Sequence, residues 1–162
     1  RGREQPVVEV AREWLRKNAP AVDHPVVSWG DARIGNVIFD DDCRPAAVLD
    51  WERATLGPPM QDLGFICMPL SRRTEPEIMA KAIPFDVLAR RYEAATGRAV
   101  DVAAIQYYAV LWQFIEGVNG SRVSLAPPAR GRVGSGGLLQ SNLVARQTLR
   151  LMENYEAGRP TL

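Results

Sequence analysis

The segment WGDARIGNVIFDDDCRPAAVLDWE, residues 29–52, contains Asp31, Asn36 and Asp50, whose side chains offer oxygen ligands. Asp31 and Asn36 flank ARIG, which is too short and too glycine-containing to be a regular helix. Asp50 follows the second of two short apolar runs. Mg²⁺ prefers oxygen ligands and is often held by one or two carboxylates together with phosphate oxygens. The spacing therefore predicts a phosphoryl-transfer site, in which Asn36 and Asp50 hold the metal and Asp31 accepts a proton from an attacking hydroxyl.

A β-hairpin is required to bring Asp50 back towards the loop that carries Asp31. Residues 37–39 and 46–49 are short apolar runs, and the DDDCRP segment between them is typical of a turn. We therefore expect these two runs to pair as antiparallel strands. The three acids at positions 40–42 are interpreted as a solvated turn.

Helices account for most of the remaining chain. Apolar periodicity, prolines and glycines predict helices over 7–18, 60–70, 84–96, 101–118 and 139–157. Gly97 is expected to end the third of these helices, and Asp101 to cap the fourth. The fold class predicted is mainly α with one small β-hairpin, an α+β arrangement.

Composition narrows the class of protein. The 162 residues have a formal charge of +1, which gives no electrostatic reason to expect a nucleic acid partner. No run is long and apolar enough to suggest a membrane span, and we expect a cytoplasmic protein. Cys43 and Cys67 are too few for a disulfide framework, and His24, the only histidine, is interpreted as a loop residue.

The pattern WGDARIGN…VLDWE resembles the catalytic core of the aminoglycoside phosphotransferase family, whose motif is H-G-D-x-x-x-x-N, a hairpin and a further Asp. It also has the spacing of the protein-kinase catalytic loop and D-F-G segment, but DWE favours the phosphotransferase branch. The resemblance implies that Asp31 is the catalytic base and that Asn36 and Asp50 bind Mg²⁺. It implies ATP as phosphate donor, with Ile38 and Leu49 beneath the nucleotide.

Three further residues are assigned by comparison with the family pattern. Trp29 replaces the usual His, which packs beneath the metal-binding segment; an indole can fill that space and offers one N–H donor. Asp62, in GPPMQDLGF, is interpreted as a structural residue that caps the following helix or braces the catalytic loop. Glu52 has two readings of equal weight, a surface carboxylate or a contact with metal or substrate.

The resemblance also predicts how the chain is organised. Residues 1–28 would form a leading helix and linker, 29–52 the catalytic loop and metal-binding hairpin, and 53–162 a helical substrate-side subdomain. Only 28 residues precede Trp29, too few for the N-terminal lobe that covers the phosphates in kinase-like enzymes. We therefore expect a C-terminal lobe whose N-terminal lobe is absent, inactive or nearly so alone, with an apolar interlobe surface that could support self-association.

Two functional hypotheses follow. The first is an enzyme that transfers the γ-phosphate of Mg·ATP to a hydroxyl of a small molecule. The second is a truncated or degenerate kinase-like lobe that serves as a binding or assembly module. A helical domain with a coincidental motif ranks last.

The acceptor side offers weaker signals. Trp112 and Glu116 share a helix face that could border a substrate cleft, and GRVGSGG, residues 131–137, is interpreted as a flexible loop. The abundance of arginine in this region argues against a polycationic acceptor and favours an uncharged or anionic one. The arginines concerned are Arg122, Arg130, Arg132 and Arg146.

Overall fold

The computed structural model describes residues 6–72, 78–79, 83–125 and 135–159. Within these ranges the helices are α1 (Pro6–Asn18), α2 (Gln61–Cys67), α3 (Phe85–Thr96), α4 (Val102–Leu125) and α5 (Ser135–Glu156). The strands are β1 (Val26–Ser28), β2 (Val37–Phe39), β3 (Pro45–Val48), β4 (Thr55–Gly57), β5 (Ile78–Met79) and β6 (Ile83–Pro84). Two 3₁₀ turns, Ile34–Asn36 and Pro69–Arg72, complete the elements. The protein is thus mainly helical with small antiparallel sheets, as the sequence predicts.

Helix α4 is the centre of the core. Its sequence is apolar on more than one side, which is typical of a helix surrounded by other elements. Helices α2, α5 and α1 all pack against it. Helix α2 approaches especially closely at Gly64, because a Cβ atom built there would lie 2.3 Å from the Cβ of Tyr108. This contact brings the start of α2 against the central helix.

Polar contacts fix α1 and the end of α2 to the core. The Tyr107 hydroxyl of α4 donates a hydrogen bond to the Leu15 carbonyl at 3.0 Å. The Trp14 indole donates to Glu156 at 2.9 Å. Gln113 is fully buried: its Nε2 donates to Gln147 of α5 at 2.9 Å, and its Oε1 accepts from the backbone N–H of Leu70 at 3.2 Å. A single amide therefore connects α4, α5 and the 3₁₀ turn after α2.

The strands form three antiparallel pairs in the described part of the chain. Strand β1 pairs with β4, with Val27 opposite Leu56. Strand β2 pairs with β3, with Val37 opposite Val48 and an irregular register between Ile38 and Phe39. Strand β5 pairs with β6. The sequence prediction of the β2–β3 hairpin is confirmed, with the second strand one residue earlier than expected.

The prediction of a single hairpin is wrong, because the described residues also contain the local pair β5–β6 and the long-range pair β1–β4. Strands β1 and β4 have three residues each and are separated by the whole catalytic segment, so no local pattern indicates their pairing. The Thr55–Gly57 strand also runs directly into Pro58 and Pro59, and such a pair of prolines indicates a break in the sequence rather than a strand. Short strands that pair at long range give a weak sequence signal, because periodicity needs several residues to be visible.

Helix boundaries agree with the prediction at some ends and differ at others. Gly97 ends α3 with φ +67°, and the Asp101 carboxylate accepts the N–H of Ala104 at 3.0 Å, so both predicted caps are confirmed. Helix α2 ends earlier than predicted because Met68 is extended before Pro69. Helix α4 continues to Leu125, beyond the predicted end at residue 118.

The loop predicted over residues 131–137 is only partly testable. Residues 131–134 lie outside the described ranges, whereas α5 begins at Ser135, so its glycines at 136 and 137 belong to a helix and not to a loop. Two adjacent glycines lower helix propensity, which explains why the sequence predicted a later start.

Replacing Gly64 with alanine should destabilise the fold, because the new methyl group would overlap the Tyr108 Cβ and the backbone of α4. Overpacking of this kind costs about 1–3 kcal/mol of unfolding free energy. Chemical denaturation of Gly64→Ala measures it. Gly35→Ala is the matched control, because a Cβ at Gly35 meets nothing within 4 Å. Equal stability of the two variants would contradict the close approach.

Candidate active site

Residues 29–31 begin the catalytic segment, directly after β1, and are held by one carboxylate. Asp62, in the first turn of α2, accepts the backbone N–H of Trp29 at 2.7 Å and that of Gly30 at 2.8 Å. Gly30 has φ +83°, and a Cβ there would lie 2.5 Å from the Arg53 carbonyl oxygen, so only glycine fits. Asp62 thus braces the loop that presents Asp31, which is the structural role expected for it.

Asp31 and Asn36 contact each other across the 3₁₀ turn. The Asn36 side-chain nitrogen donates to Asp31 Oδ2 at 2.8 Å and to the Asp31 carbonyl at 3.1 Å. Asn36 is 6% exposed, so its orientation is fixed by its surroundings. Because the nitrogen is used in this way, the amide oxygen of Asn36 remains the atom that can bind a cation.

The β2–β3 hairpin brings Asp50 to the same place. The Leu49 N–H donates to the Asn36 carbonyl at 2.8 Å, which joins the end of the hairpin to the catalytic loop. Asp50 has φ +64°, an uncommon backbone conformation for a residue other than glycine. The predicted convergence of the two chain segments is therefore observed.

Two indole rings stabilise this turn of the chain. Trp29 Nε1 donates to the carbonyl of Leu49 at 2.8 Å and lies 3.2 Å from that of Asp50. Trp51 Nε1 donates to the Val48 carbonyl at 2.8 Å, and the two rings are 5.9 Å apart. Three successive carbonyl groups thus have indole N–H donors. Trp29 therefore contacts the segment that carries Asp50 through its single indole N–H.

Arg33 contributes a cation that the sequence analysis did not assign. Its Nε lies 3.1 Å from Asp31 Oδ2, and its Nη2 lies 3.8 Å from Asp50 Oδ2. The motif itself predicts no role for Arg33, which lies in the spacer between Asp31 and Asn36. The available signal was its charge, two residues after a proposed catalytic acid.

A cleft of about 580 Å³ opens beside these groups. One part of its wall is apolar, from the end of α2 and the following turn. Another part is the ion pair between Arg53 and Glu116, 3.0 Å apart, with the guanidinium 5.9 Å above the Trp112 ring. Of the two α4 residues predicted to border a cleft, Glu116 lines it, whereas Trp112 is next to it only through its contact with Arg53. The lining residues are Asp31, Ala32, Arg33, Ile34, Gly35, Asp50, Glu52, Arg53, Phe65, Met68, Leu70 and Glu116.

Of the remaining predicted site residues, Glu52 lies in the cleft, whereas Ile38 and Leu49 lie outside it. Glu52 lines the cleft, which is compatible with a contact to metal or substrate. Ile38 and Leu49 are about half-exposed on the hairpin, at 48% and 47%, and do not line this cleft. Their assignment beneath a nucleotide stays a prediction.

The donor set fits Mg²⁺ better than a metal that needs a protein cage. Asn36 and Asp50 offer hard oxygen ligands. Within the described ranges, no group of three or more His, Cys, Asp or Glu side chains could hold an ion. Zinc sites of the usual tetrahedral kind need more nitrogen or sulfur ligands than these residues supply. A cation held by two side chains and by phosphate oxygens matches the arrangement.

Comparison with known protein families agrees with this geometry. A family model described as APH, the phosphotransferase enzyme family, matches residues 2–101, which contain the catalytic loop, the hairpin and Asp62. The chain belongs to the phosphotransferase enzyme family. The resemblance inferred from the catalytic motif is thereby confirmed.

A solved structure has the same fold as this phosphotransferase-family chain. It is a protein of Ralstonia eutropha described as a candidate aminoglycoside phosphotransferase, with a TM-score of 0.73 and 22% sequence identity. The superposition covers 94% of this chain and 50% of the other. At this identity the likeness establishes the fold and leaves the acceptor open.

Curated relatives match over a shorter segment. Acyl-CoA dehydrogenase family member 11 is 45% identical over 60 residues in Pongo abelii and 43% identical over 60 residues in Homo sapiens. Family member 10 of Mus musculus is 36% identical over 64 residues. The matched segments cover 36%, 36% and 39% of this chain, but only 8%, 8% and 6% of those proteins. The name acyl-CoA dehydrogenase therefore refers to the whole of each relative and not to the short segment that matches this chain.

Removing the Asp62 carboxylate should loosen the catalytic loop. Asp62→Ala leaves the N–H groups of Trp29 and Gly30 without their acceptor, and hydrogen bonds to a charged group are worth about 1.5–3 kcal/mol each. We expect a loss of about 2 kcal/mol or more in unfolding free energy.

The control for this prediction is Asp86→Ala. Asp86 also lies in the first turn of a helix, but it forms an exposed pair with Arg90. Exposed pairs contribute about 0–1 kcal/mol, so this variant should be nearly neutral in the same denaturation experiment. Similar losses in both variants would mean that Asp62 acts only as an ordinary helix-start acid.

Proposed function

We propose that this chain is the catalytic lobe of an ATP-dependent phosphotransferase, which moves the γ-phosphate of Mg·ATP to a hydroxyl of a small molecule. The observation that carries the proposal is that Asp31 and Asp50 line one cleft, with the Asn36 side chain hydrogen-bonded to Asp31 behind it. Membership of the phosphotransferase enzyme family supports the reaction class. Transfer to a hydroxyl, the identity of the donor and the residue roles are parts of the proposal.

Asp31 is suited to the role of base. Its Oδ2 is held by Asn36 and Arg33, so the carboxylate is oriented without being fully enclosed. A side-chain base that removes the proton from a hydroxyl contributes about 10²–10⁴-fold to the rate. In the proposed reaction Asp31 orients the acceptor oxygen and receives its proton as the oxygen attacks the γ-phosphorus.

Asn36 and Asp50 are suited to the role of metal ligands. Asn36 presents an amide oxygen and Asp50 a carboxylate, and the hydrogen bond between Leu49 and Asn36 keeps their chain segments together. A bound Mg²⁺ would neutralise charge on the β- and γ-phosphates during transfer. The role of these two residues is to fix the position of the transferred group relative to Asp31.

The acceptor proposed is an uncharged or anionic hydroxylated molecule. The cleft has an apolar wall at Phe65, Met68 and Leu70, which suits a partly apolar body. Arg53 supplies a cation there, held by Glu116. The arginines used in the sequence argument give less support. Arg146 does not line the cleft, and the side chains of Arg122, Arg130 and Arg132 lie outside those described.

The exposed apolar face of the hairpin supports a second part of the proposal, that another lobe completes the nucleotide site. Phe39, Val48 and Trp51 are between 38% and 50% exposed. The structural neighbour is also about twice as long as the part that superposes on this chain. Self-association through the same face is the alternative.

A non-catalytic module is the second candidate function, and Trp29 is the observation that favours it. The usual family residue at this position is His. The indole nevertheless makes hydrogen bonds to Leu49 and Asp50, so the metal-binding segment keeps its support. The two candidates differ in whether the lobe binds Mg·ATP.

Substitution of Asp50 tests the metal site. We expect calorimetric titration of the chain with ATP to show a Mg²⁺-dependent component, and Asp50→Ala to abolish it by removing a ligand. Asp42→Ala is the matched control, because Asp42 is an exposed acid at the hairpin turn. Binding that is independent of Mg²⁺, or equally weakened by both substitutions, would argue against the assignment.

Substitution of Asp31 separates chemistry from binding. Asp31→Asn keeps the size of the side chain but cannot accept the proton in the same way, so phosphate transfer should fall by about 10²–10⁴-fold. Mg²⁺-dependent ATP binding should remain. The rate is measured as ADP release that depends on an added hydroxylated acceptor. The measurement uses this lobe together with the lobe that completes the nucleotide site. Unchanged turnover would exclude Asp31 as the base.

A further inference from the structure

Arg33 lies where the site needs positive charge before any metal binds. The fold brings the carboxylates of Asp31 and Asp50 to the same cleft, and like charges at short range repel. The Arg33 guanidinium contacts both, with Nε 3.1 Å from Asp31 and Nη2 3.8 Å from Asp50. It therefore lies against Asp50, the proposed carboxylate ligand of the metal, and against Asp31, the proposed base.

Arg53, the other arginine that lines the cleft, is held away from Asp31 and Asp50 by other contacts. Arg53 is 34% exposed, is bound to Glu116 at 3.0 Å and lies against the Trp112 ring. Arg33 differs from it in being 58% exposed. Its contact with Asp50 is longer than a hydrogen bond, so it is an ionic contact that is weak at an exposed position. Arg33 is consequently the cation that can leave Asp50, while its 3.1 Å hydrogen bond to Asp31 is the stronger of its two contacts.

We propose that Arg33 is a stand-in cation: it balances Asp31 and Asp50 when the metal is away, and turns to the transferred phosphate when metal and nucleotide bind. The inference rests on the proposed function. Its physical basis is that two cations cannot both lie against Asp50 without repulsion, whereas an arginine next to a phosphate gains charge-assisted hydrogen bonds.

Removing Arg33 should therefore change two affinities in opposite directions: that for a free divalent cation and that for Mg·ATP. Without nucleotide, Arg33 competes with the metal, so Arg33→Gln should bind a divalent cation more tightly, by about twofold to fivefold. With nucleotide, the same substitution removes a phosphate contact, so Mg·ATP should bind about fivefold or more weakly. A purely structural arginine would not change the two affinities in opposite directions.

The experiment compares Arg33→Gln with Arg44→Gln. Both remove one positive charge, but Arg44 lies at the turn of the hairpin, 74% exposed and paired with Asp42. Mn²⁺ alone is titrated and followed by the electron paramagnetic resonance signal of the free ion, and Mg·ATP is titrated by calorimetry. Arg33→Lys is the second variant, and it is used if Arg33→Gln folds poorly. Because it retains the positive charge, it should keep most of the Mg·ATP affinity.

The outcomes are separable. Tighter Mn²⁺ binding with weaker Mg·ATP binding, seen in Arg33→Gln and not in Arg44→Gln, supports the inference. Parallel behaviour of the two variants, or a shift of both affinities in one direction, overturns it while leaving the proposed function intact. If the unmodified chain binds neither Mn²⁺ nor Mg·ATP, the metal site itself fails, and the inference fails with it.

Discussion

The contact between the Asp62 carboxylate and the backbone of residues 29 and 30 is the constraint on which the candidate site depends. Asp62 belongs to α2, which is held against the central helix by the close approach at Gly64. The catalytic loop has no regular structure of its own before the 3₁₀ turn. The Asp62 carboxylate therefore fixes the position of the loop that carries Asp31 relative to the helical core. Gly30 has no side chain, so the loop backbone can lie directly against the Arg53 backbone at this point.

A second set of contacts sets the position of residues 48–50, which include the proposed metal ligand Asp50. The hairpin alone would leave Asp50 at the end of a short and exposed pair of strands. The Trp29 and Trp51 indoles hold the carbonyl groups of residues 48–50, and the Leu49 N–H is bound to Asn36. The uncommon backbone conformation of Asp50 is maintained by these surrounding bonds. Trp29 thus supports the segment even though its side chain differs from the usual one.

Much of the site could be predicted because its signals are local. Asp31, Asn36 and Asp50 lie within 20 residues of one another, and residue type and spacing were enough to bring them together. The caps at Gly97 and Asp101 were predictable for the same reason. The β1–β4 pairing and the length of α4 were not, since long-range pairing and core packing decide them. Arg33 was missed because the motif fixes which positions matter and leaves the residues between them undefined. Arg53 shows its place in the cleft only through Glu116, 63 residues away.

The pairing of β1 with β4 closes the segment that carries the candidate site into one loop. The strands at Val26–Ser28 and Thr55–Gly57 join the two ends of one loop, which contains Asp31, Asn36, Asp50 and both indoles. Closing such a loop costs conformational entropy, and contacts between residues distant in sequence form slowly during folding. The ends of the loop are joined to each other by three residue pairs, and the Asp62 hydrogen bonds and the Arg53–Glu116 ion pair hold it to the helical core. Loss of these few contacts would release the loop as a single cooperative segment. Amide hydrogen exchange would then be fast and concerted across the whole loop and slow in α4. Ligands that bridge its two ends would protect all of it together.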